Sequence, residues 1–467
     1  MLGSFQGSLL FVGYAIFILA VVFYTRKKNE SIDDFLVMNR DMGFFKGMMS
    51  VAVSWLWAPA IFICSLQAYT QGLPGIFWFT APNILCFFLF IPIALKLRET
   101  IPNGYTMPQL FKLRFEETRL PHFFMTVAAF GYQLGAIIIN CVAGAILINL
   151  LSGIPYHVGV LMMGGLALSY SLISGLRASV MSDVAQMAMI LVFVLFLVPW
   201  AFLESGGIET VKLGLSGVTG EFGNIFDPKI AYAFGIATSI ALLSGPMLDQ
   251  MFTQRVFAAK KRSIKKIFFF GGLIFGIIPI MLSLLGFIGA AEVKAGNLIV
   301  SDPQMVGPIV IGQFLPEWAL MLFAVMAFAG LTSTLDSAFT AIGSITTTDI
   351  YKGKKVTLKV ARLGMLIMAV IGMAISMLKP DLLWIFLIYG ALGGSTFFPI
   401  ILTLFWRKIT ANAVALGIAL GLIISVPLSI YANVTGNVDL IVLSSISGVG
   451  ISGIVTVLGS YLMNKRA

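Results

Sequence analysis

The sequence has few charged residues, few histidines and few cysteines. Only 11% of its 467 residues are Asp, Glu, Lys or Arg, whereas about a quarter are charged in an average soluble domain. The two histidines, His122 and His157, are too few for a zinc site or a Ser-His-Asp arrangement. Cys64, Cys86 and Cys141 lie in apolar stretches and lack metal-binding spacing. We therefore expect these five side chains to pack against other groups, and expect neither an enzyme nor an organic cofactor.

Long apolar segments dominate the rest of the chain, in which 59% of residues are hydrophobic. The first, from Leu9 to Tyr24, lacks a basic segment before it and a cleavage site after it, so we interpret it as a retained span and not as a secretory signal. We predict an all-α membrane protein with thirteen transmembrane helices. The predicted spans are 8–25, 46–70, 76–97, 122–150, 156–175, 180–203, 229–252, 266–290, 310–348, 359–378, 381–404, 411–431 and 440–463.

Basic residues alternate between the connections of these spans. Of the 30 Lys and Arg residues, 26 fall on one predicted face, and Lys212, Lys229, Lys294 and Lys379 fall on the other. Cytoplasmic connections carry the excess of Lys and Arg. The split predicts an N-terminus outside, a C-terminus in the cytoplasm and a location in the plasma (inner) membrane. It also explains the net charge of +10 without nucleic acid.

Two predicted spans contain helix-breaking sequences. Trp57-Ala58-Pro59-Ala60 interrupts the second span and Ser244-Gly245-Pro246 the seventh. Such a proline either kinks a helix or, when two occur at matching positions of two halves, marks the binding sites of a transporter. The spacing favours the second interpretation. It predicts one transporter domain over 1–467, with repeats at 46–203 and 229–404 in opposite orientation, one extra span (8–25) before them and two (411–463) after. We interpret 310–348 as one long helix.

Three carboxylates lie at predicted membrane depth: Asp183, Asp249 and Asp336. Such residues are costly there and mark candidate functional sites. Asp183 has the alternative of a helix-start residue, and Asp249 that of a salt bridge to the basic run beginning at Arg255. Asp336 shares a helix face with Ser333 and Ser337. Hydroxyl and carboxylate oxygens are ligands of hard cations, so we favour a cation site, although intramembrane hydroxyls also bind backbone carbonyls.

The motif from Gly330 to Ser337, GLTSTLDS, continued by TDIYK at 348–352, resembles the sodium:solute symporter family, which includes proline, pantothenate, sialic acid and sodium/glucose symporters. The stretches 249–260 and 399–408 are similar to the family's seventh-span and eleventh-span endings. The second span, 53–60, is closest to the urea-transporter branch. The resemblance implies the leucine-transporter-like fold, with a 5+5 inverted repeat and a broken first helix in each half.

The resemblance also implies binding residues. The sodium ligands would be Val53, Leu56, Gly330, Ser333 and Thr334. A second cation site would use Asp183, Asp336 and Ser337, where Asp336 replaces the small polar residue more common in the family. The solute would lie among Trp57, Ala60, Gln67, Tyr132, Gln133, Asp249, Gln250 and Tyr389.

These features predict a secondary active transporter that couples inward sodium movement to uptake of a small neutral or zwitterionic solute by alternating access. Its partners would be the solute, sodium ions and the lipid bilayer, with neither nucleic acid nor a protein partner implied. Two alternatives remain open at this point: a proton-coupled or uncoupled carrier on the same fold, and a sensor derived from a transporter.

Overall fold

A computed structural model describes residues 4–26, 31–351, 353 and 357–464. The basic residues of the predicted cytoplasmic face at Lys27, Lys28, Lys352, Lys354, Lys355, Lys465 and Arg466 lie outside this part. Within it the chain is helical, and the described residues contain an isolated bridge between Met42 and Ala259 but no β-strand. Helix is the expected solution in lipid, because it pairs backbone groups within one segment.

Eighteen α-helices form the described chain. In order they are α1 Ser4–Thr25, α2 Ile32–Val37, α3 Phe44–Ser54, α4 Cys64–Thr100, α5 Met107–Arg114, α6 Leu120–Ser152, α7 Tyr156–Glu204, α8 Ile208–Gly214, α9 Pro228–Ile230, α10 Ile236–Leu248, α11 Gln250–Ala258, α12 Ile264–Lys294, α13 Val306–Phe314, α14 Glu317–Ile345, α15 Leu358–Ser376, α16 Leu382–Phe405, α17 Ala411–Thr435 and α18 Val438–Asn464. Short π-helical segments at Pro59–Ile63, Ala231–Gly235 and Thr346–Ile350 extend α4, α10 and α14.

Eleven helices among the described residues are long and apolar enough to cross a membrane, so the chain is a multi-pass membrane protein. Two of them are much longer than the roughly 20 residues that a bilayer requires: Pro59–Thr100 has 42 residues and Tyr156–Glu204 has 49. Each is interrupted by a glycine with positive φ, Gly72 at 60° and Gly175 at 49°. Glycine adopts this backbone conformation without a steric penalty, so the chain direction changes there within a nominally continuous helix.

The predicted long helix over 310–348 is wrong. The chain forms α13 and α14 instead, separated at Leu315 and Pro316. Proline disfavours helical geometry in the residue before it, and Leu315 accordingly has extended dihedral angles of −115° and 155°. α14 therefore begins after the proline, at Glu317.

The ninth predicted span, α14, lies at the centre of the protein. Every residue from Met326 to Ile345 is buried, and α14 packs against α3, α6, α7, α11, α13 and α15. α17 and α18 pack together and against α16 at the periphery, where they leave large apolar side chains exposed. The fold thus surrounds the polar residues of α14 with other helices.

Candidate cation and solute sites

The first helix break separates α3 from the π-helical turn Pro59–Ile63. α3 ends at Ser54, and residues 55–57 are not helical. Pro59 lacks the N–H that a continuous helix would use and clashes with the preceding turn. The N–H of Ala58 donates to Oδ1 of Asn140 on α6 at 2.9 Å. A side chain of another helix therefore satisfies the backbone where α3 is interrupted.

Carbonyl oxygens of this break face α14. The carbonyl of Leu56 lies so close to Gly330 that a Cβ atom at that glycine would be 2.8 Å from it. The Thr334 hydroxyl lies between the carbonyls of Ser54 and Gly330, at 3.4 and 3.3 Å. The absence of a side chain at Gly330 allows this approach, which brings oxygens of both segments together.

All five residues predicted to bind sodium are buried in this region. Val53 lies in the last turn of α3, and the carbonyl that the Thr334 hydroxyl approaches belongs to the next residue, Ser54, which the sequence did not single out. Ser333 donates its hydroxyl hydrogen to Oδ1 of Asp183 at 2.6 Å, which orients the hydroxyl lone pairs away from that carboxylate. Carbonyl and hydroxyl oxygens are the kinds of ligand that hard cations prefer, and both kinds lie in this region.

The predicted second cation site contains an arginine that the sequence analysis missed. Asp183, Asp336 and Ser337 lie together, all fully buried, and Arg255 of α11 lies among them, also fully buried. Nη2 of Arg255 is 2.8 Å from Oδ2 of Asp183 and donates to the Ser337 hydroxyl at 2.7 Å. Its Nε donates to the Ser50 hydroxyl at 2.8 Å. A guanidinium is permanently charged, so the protein places its own cation at this position.

Asp336 accepts hydrogen bonds from neighbouring hydroxyls. Ser179 donates to Oδ1 at 2.6 Å, and Ser182 donates to Oδ2 at 3.2 Å. Nη2 of Arg255 also contacts the Ser179 hydroxyl, at 3.4 Å. When both acids are ionised, Asp183, Asp336 and Arg255 together carry one net negative charge.

Asp183 and Asp249 do not have the alternative roles considered from the sequence, a helix-start residue and a salt-bridge partner of Arg255. Asp183 lies eight positions after the interruption of α7 at Gly175, about two turns into the second part of that helix, so it is not a helix-start residue. Arg255, the first residue of the basic run considered as a partner for Asp249, forms its ion pair with Asp183. The sequence shows where the basic run lies, but it does not show in which direction the Arg255 side chain points.

The second helix break is at Asp249. The sequence placed it at Ser244-Gly245-Pro246, which is wrong, because α10 continues through Pro246 to Leu248. Asp249 has non-helical dihedral angles of −68° and 111°, and its carboxylate accepts the N–H of Met251 at 2.8 Å. An aspartate that caps the next helix in this way satisfies an N–H that has no partner within the helix. The capping interaction of Asp249, and not the proline, sets the boundary.

Five of the predicted solute-binding residues form one cluster near both breaks, which we call the aromatic–acid cluster: Trp57, Tyr132, Gln133, Asp249 and Tyr389. The rings of Trp57 and Tyr389 are 5.0 Å apart, and those of Tyr132 and Tyr389 are 4.3 Å apart. Nε2 of Gln133 donates to Oδ1 of Asp249 at 2.9 Å. Phe386 also packs on Trp57, at 5.8 Å, and was not predicted.

The other three predicted solute residues lie around this cluster or away from it. Ala60 is in the first turn after the break, where its N–H donates to the carbonyl of Trp57 at 3.0 Å. Gln67 lies further along α4, with its carbonyl against Gly75. Gln250 donates to the carbonyl of Tyr105 at 2.7 Å, so its side chain binds the segment before α5.

His122, for which we expected only packing, forms a polar contact at the end of α14. Its Nε2 lies 2.8 Å from Oδ1 of Asp349, and the Thr106 hydroxyl donates to Oδ2 of the same acid at 2.7 Å. Burial and a hydrogen bond to Asp33 raise the pKa of the nearby Tyr105 hydroxyl to about 12. The contacts of Thr106 and His122 with Asp349 join the start of α5 and α6 to the end of the central helix.

Comparison with known proteins agrees with this architecture. The sodium:solute symporter family profile matches residues 35–421. The chain belongs to the sodium:solute symporter family. The structure of a Na+-coupled sialic acid symporter in a substrate-bound outward-open state superposes with a TM-score of 0.80 at 17% identity, covering 98% of this chain and 97% of that one. The fold is therefore that of a membrane transporter.

Two relatives differ in the solutes that their names describe. The chain is 24% identical over 407 residues to the urea-proton symporter DUR3 of Oryza sativa subsp. japonica, covering 78% of this chain and 56% of the rice protein. It is 23% identical over 412 residues to the high-affinity proline transporter PutP of Bacillus subtilis, covering 84% and 85%. The chain thus spans little more than half the length of the rice relative. Both relatives are transporters and not enzymes; their names give different solutes, and of the two only the rice protein's name gives a coupling ion, the proton.

Proposed function

We propose that this chain is a secondary active transporter that couples inward sodium movement to uptake of a small neutral or zwitterionic polar solute. The observation that carries the proposal is the approach of the first helix break to α14, where the Leu56 carbonyl lies against Gly330 and the Ser54 carbonyl lies 3.4 Å from the Thr334 hydroxyl. The family as a whole is named for sodium coupling. In this account sodium is transported together with the solute and is not a resident cofactor.

The proposed topology has thirteen spans. Two arise by dividing the long helices at Gly72 and Gly175, each of which has a positive φ. The repeats would cover 46–203 and 229–404, each with a broken first helix, and 8–25 and 411–463 would be additional. The N-terminus would lie outside and the C-terminus in the cytoplasm of the plasma (inner) membrane.

The proposed cycle is alternating access. Sodium enters from outside and binds the carbonyls of the first break together with the hydroxyls of Ser333 and Thr334. It thereby joins α3 to α14 and stabilises the outward-open form, in which the solute reaches the aromatic–acid cluster. Because the ion and the solute favour the same state, each raises the affinity of the other by the same factor. Trp57 is part of the break itself, so ion binding and solute binding act on one segment.

Removing the two hydroxyls tests the sodium proposal. Ser333→Ala/Thr334→Ala should reduce sodium-driven uptake and shift its sodium dependence at least tenfold to higher concentration, because two of the proposed ligands are lost. A matched control is Ser444→Ala/Ser445→Ala, which removes two adjacent buried hydroxyls from α18. Uptake of radioactive solute into proteoliposomes under an imposed sodium gradient measures both. Wild-type sodium dependence in the first variant would contradict the assignment.

A proton-coupled carrier is the second candidate, because the rice relative is named a urea-proton symporter. It predicts solute uptake in sodium-free medium that is driven by an inward proton gradient. Sodium-free uptake measured at several external pH values separates the two candidates.

A further inference from the structure

Three buried carboxylates lie near the two breaks, and Arg255 forms its ion pair with one of them. Asp183, Asp249 and Asp336 are each fully buried. Arg255 binds Asp183, and the Ser179 hydroxyl that donates to Asp336 also contacts Arg255. Asp249 belongs to a different group of residues, the aromatic–acid cluster. A buried ionised carboxylate is costly unless it is paired or hydrogen-bonded, so the bonds that Asp249 forms are informative.

Only one of the two carboxylate oxygens of Asp249 has hydrogen-bond partners in the described chain. Oδ1 accepts hydrogen bonds from Gln133 at 2.9 Å and from the N–H of Met251 at 2.8 Å. Oδ2 is buried without a hydrogen-bond partner among the described residues. Buried polar groups in native proteins are almost always hydrogen-bonded, so an exception requires an explanation.

Two other atoms of the same cluster are buried without a partner in the described chain. Oε1 of Gln133 is a second free acceptor, and Nε1 of Trp57 is a free donor. Gln133 is bonded to Asp249, and Trp57 is connected to it through Tyr389 and Tyr132, whose rings are 4.3 Å apart. The unused groups of the cluster are therefore two acceptors and one donor, in a cluster that also contains the packed rings of Trp57, Tyr132 and Tyr389.

This arrangement is complementary to a particular solute chemistry. Two acceptors require a ligand with at least two hydrogen-bond donors, N–H or O–H, and an indole N–H requires an acceptor such as a carbonyl oxygen. Aromatic walls suit a small, flat molecule. A solute carboxylate would be repelled by Asp249, and the buried arginine nearest in sequence is already bound to Asp183.

We propose that the aromatic–acid cluster binds a small neutral solute with a urea or carboxamide group. Its N–H groups donate to Asp249 and Gln133, and its carbonyl oxygen accepts from Trp57. This inference rests on the proposed transport function for its context, and it narrows the neutral or zwitterionic class of solutes by excluding amino acids. It does not depend on which cation drives uptake.

Equilibrium binding to the purified full chain tests the proposal without any ion gradient. Urea and acetamide should each bind, and acetone, which has nearly the same shape as both but no N–H donor, should bind at least tenfold more weakly. Acetate and proline should not compete with urea. Equal binding of acetone and acetamide would overturn the proposal, as would binding of proline or acetate in preference to both amides. If the binding results overturn the amide proposal but the protein still takes up another solute when a sodium gradient is imposed, the transport proposal stands and only the solute class is wrong.

Substitution of the acid gives a second, independent test. Asp249→Asn keeps the size of the side chain and the ability to cap α11, but it turns a donor toward the N–H groups of the solute. Urea binding should weaken about tenfold or more, which corresponds to the loss of one hydrogen bond or more. The control is Thr238→Val, which removes a buried hydroxyl of α10 that also lacks a partner in the described structure. Unchanged urea affinity in Asp249→Asn would overturn the proposed contact.

Discussion

The two helix breaks present different chemistry to the centre of the protein. The first is uncharged, and its carbonyls face the hydroxyls of α14, while Asn140 on another helix binds its free N–H. The second contains a carboxylate, Asp249, which caps its own following helix and binds Gln133. We propose that the first break binds the cation together with the hydroxyls of α14, and that Asp249 at the second break binds the N–H groups of a solute that also contacts Trp57 of the first.

Arg255 lies on α11, directly after the second break, and connects the two regions. It binds Asp183 of α7, and that acid also accepts the hydroxyl of Ser333, one of the proposed sodium ligands. The second break is thus joined to the proposed cation site through one arginine and one acid. Any movement of α11 would therefore change the surroundings of Ser333.

The largest expected effect comes from removing this arginine. Arg255→Met leaves Asp183 buried without its partner, which should destabilise the protein by about 3–5 kcal/mol. The matched control is Arg255→Met/Asp183→Leu, which removes both charges and should recover much of the loss. Thermal unfolding of the purified protein in detergent measures both. If the double variant is no more stable than the single one, the ion pair does not account for the effect.

A smaller effect is expected from removing the Asn140 side chain, which accepts the Ala58 N–H at the first break. Asn140→Ala leaves the N–H of Ala58 buried and unpaired, at a cost of about 1–3 kcal/mol, and should weaken sodium binding because the carbonyls lose their fixed position. Asn433→Ala is the control, since both asparagines donate to the carbonyl four residues earlier, at 2.7 and 2.8 Å, in α6 and α17. Equal losses of stability and sodium affinity in the two variants would show that the break needs no partner from α6.

The sequence predicted those features that depend on composition and periodicity. The membrane helices, the interruption at Pro59 and the polar face of α14 all follow from local residue patterns. The position of the second break did not, because it depends on whether the Asp249 carboxylate or the loss of the Pro246 N–H dominates. Pro316 indicated an end between α13 and α14, but the length of the apolar run favoured the prediction of a single helix.

The contacts of single side chains could not be predicted in the same way. Arg255 belongs to a basic run in the sequence, and only the packing of α11 against α14 and α3 shows that its side chain points inward. Asn140 is an isolated polar residue in an apolar helix, and nothing local connects it with Ala58, 82 positions earlier. Such pairs are set by tertiary structure. The signal available was the cost of placing a polar group in an apolar segment.

Direct binding of radioactive sodium to the purified protein tests the central claim that sodium binds where the first break meets α14. We expect saturable binding in the wild type, at least a tenfold loss of affinity in Ser333→Ala/Thr334→Ala, and little change in Ser444→Ala/Ser445→Ala. Undiminished sodium binding in the Ser333/Thr334 variant would contradict the account.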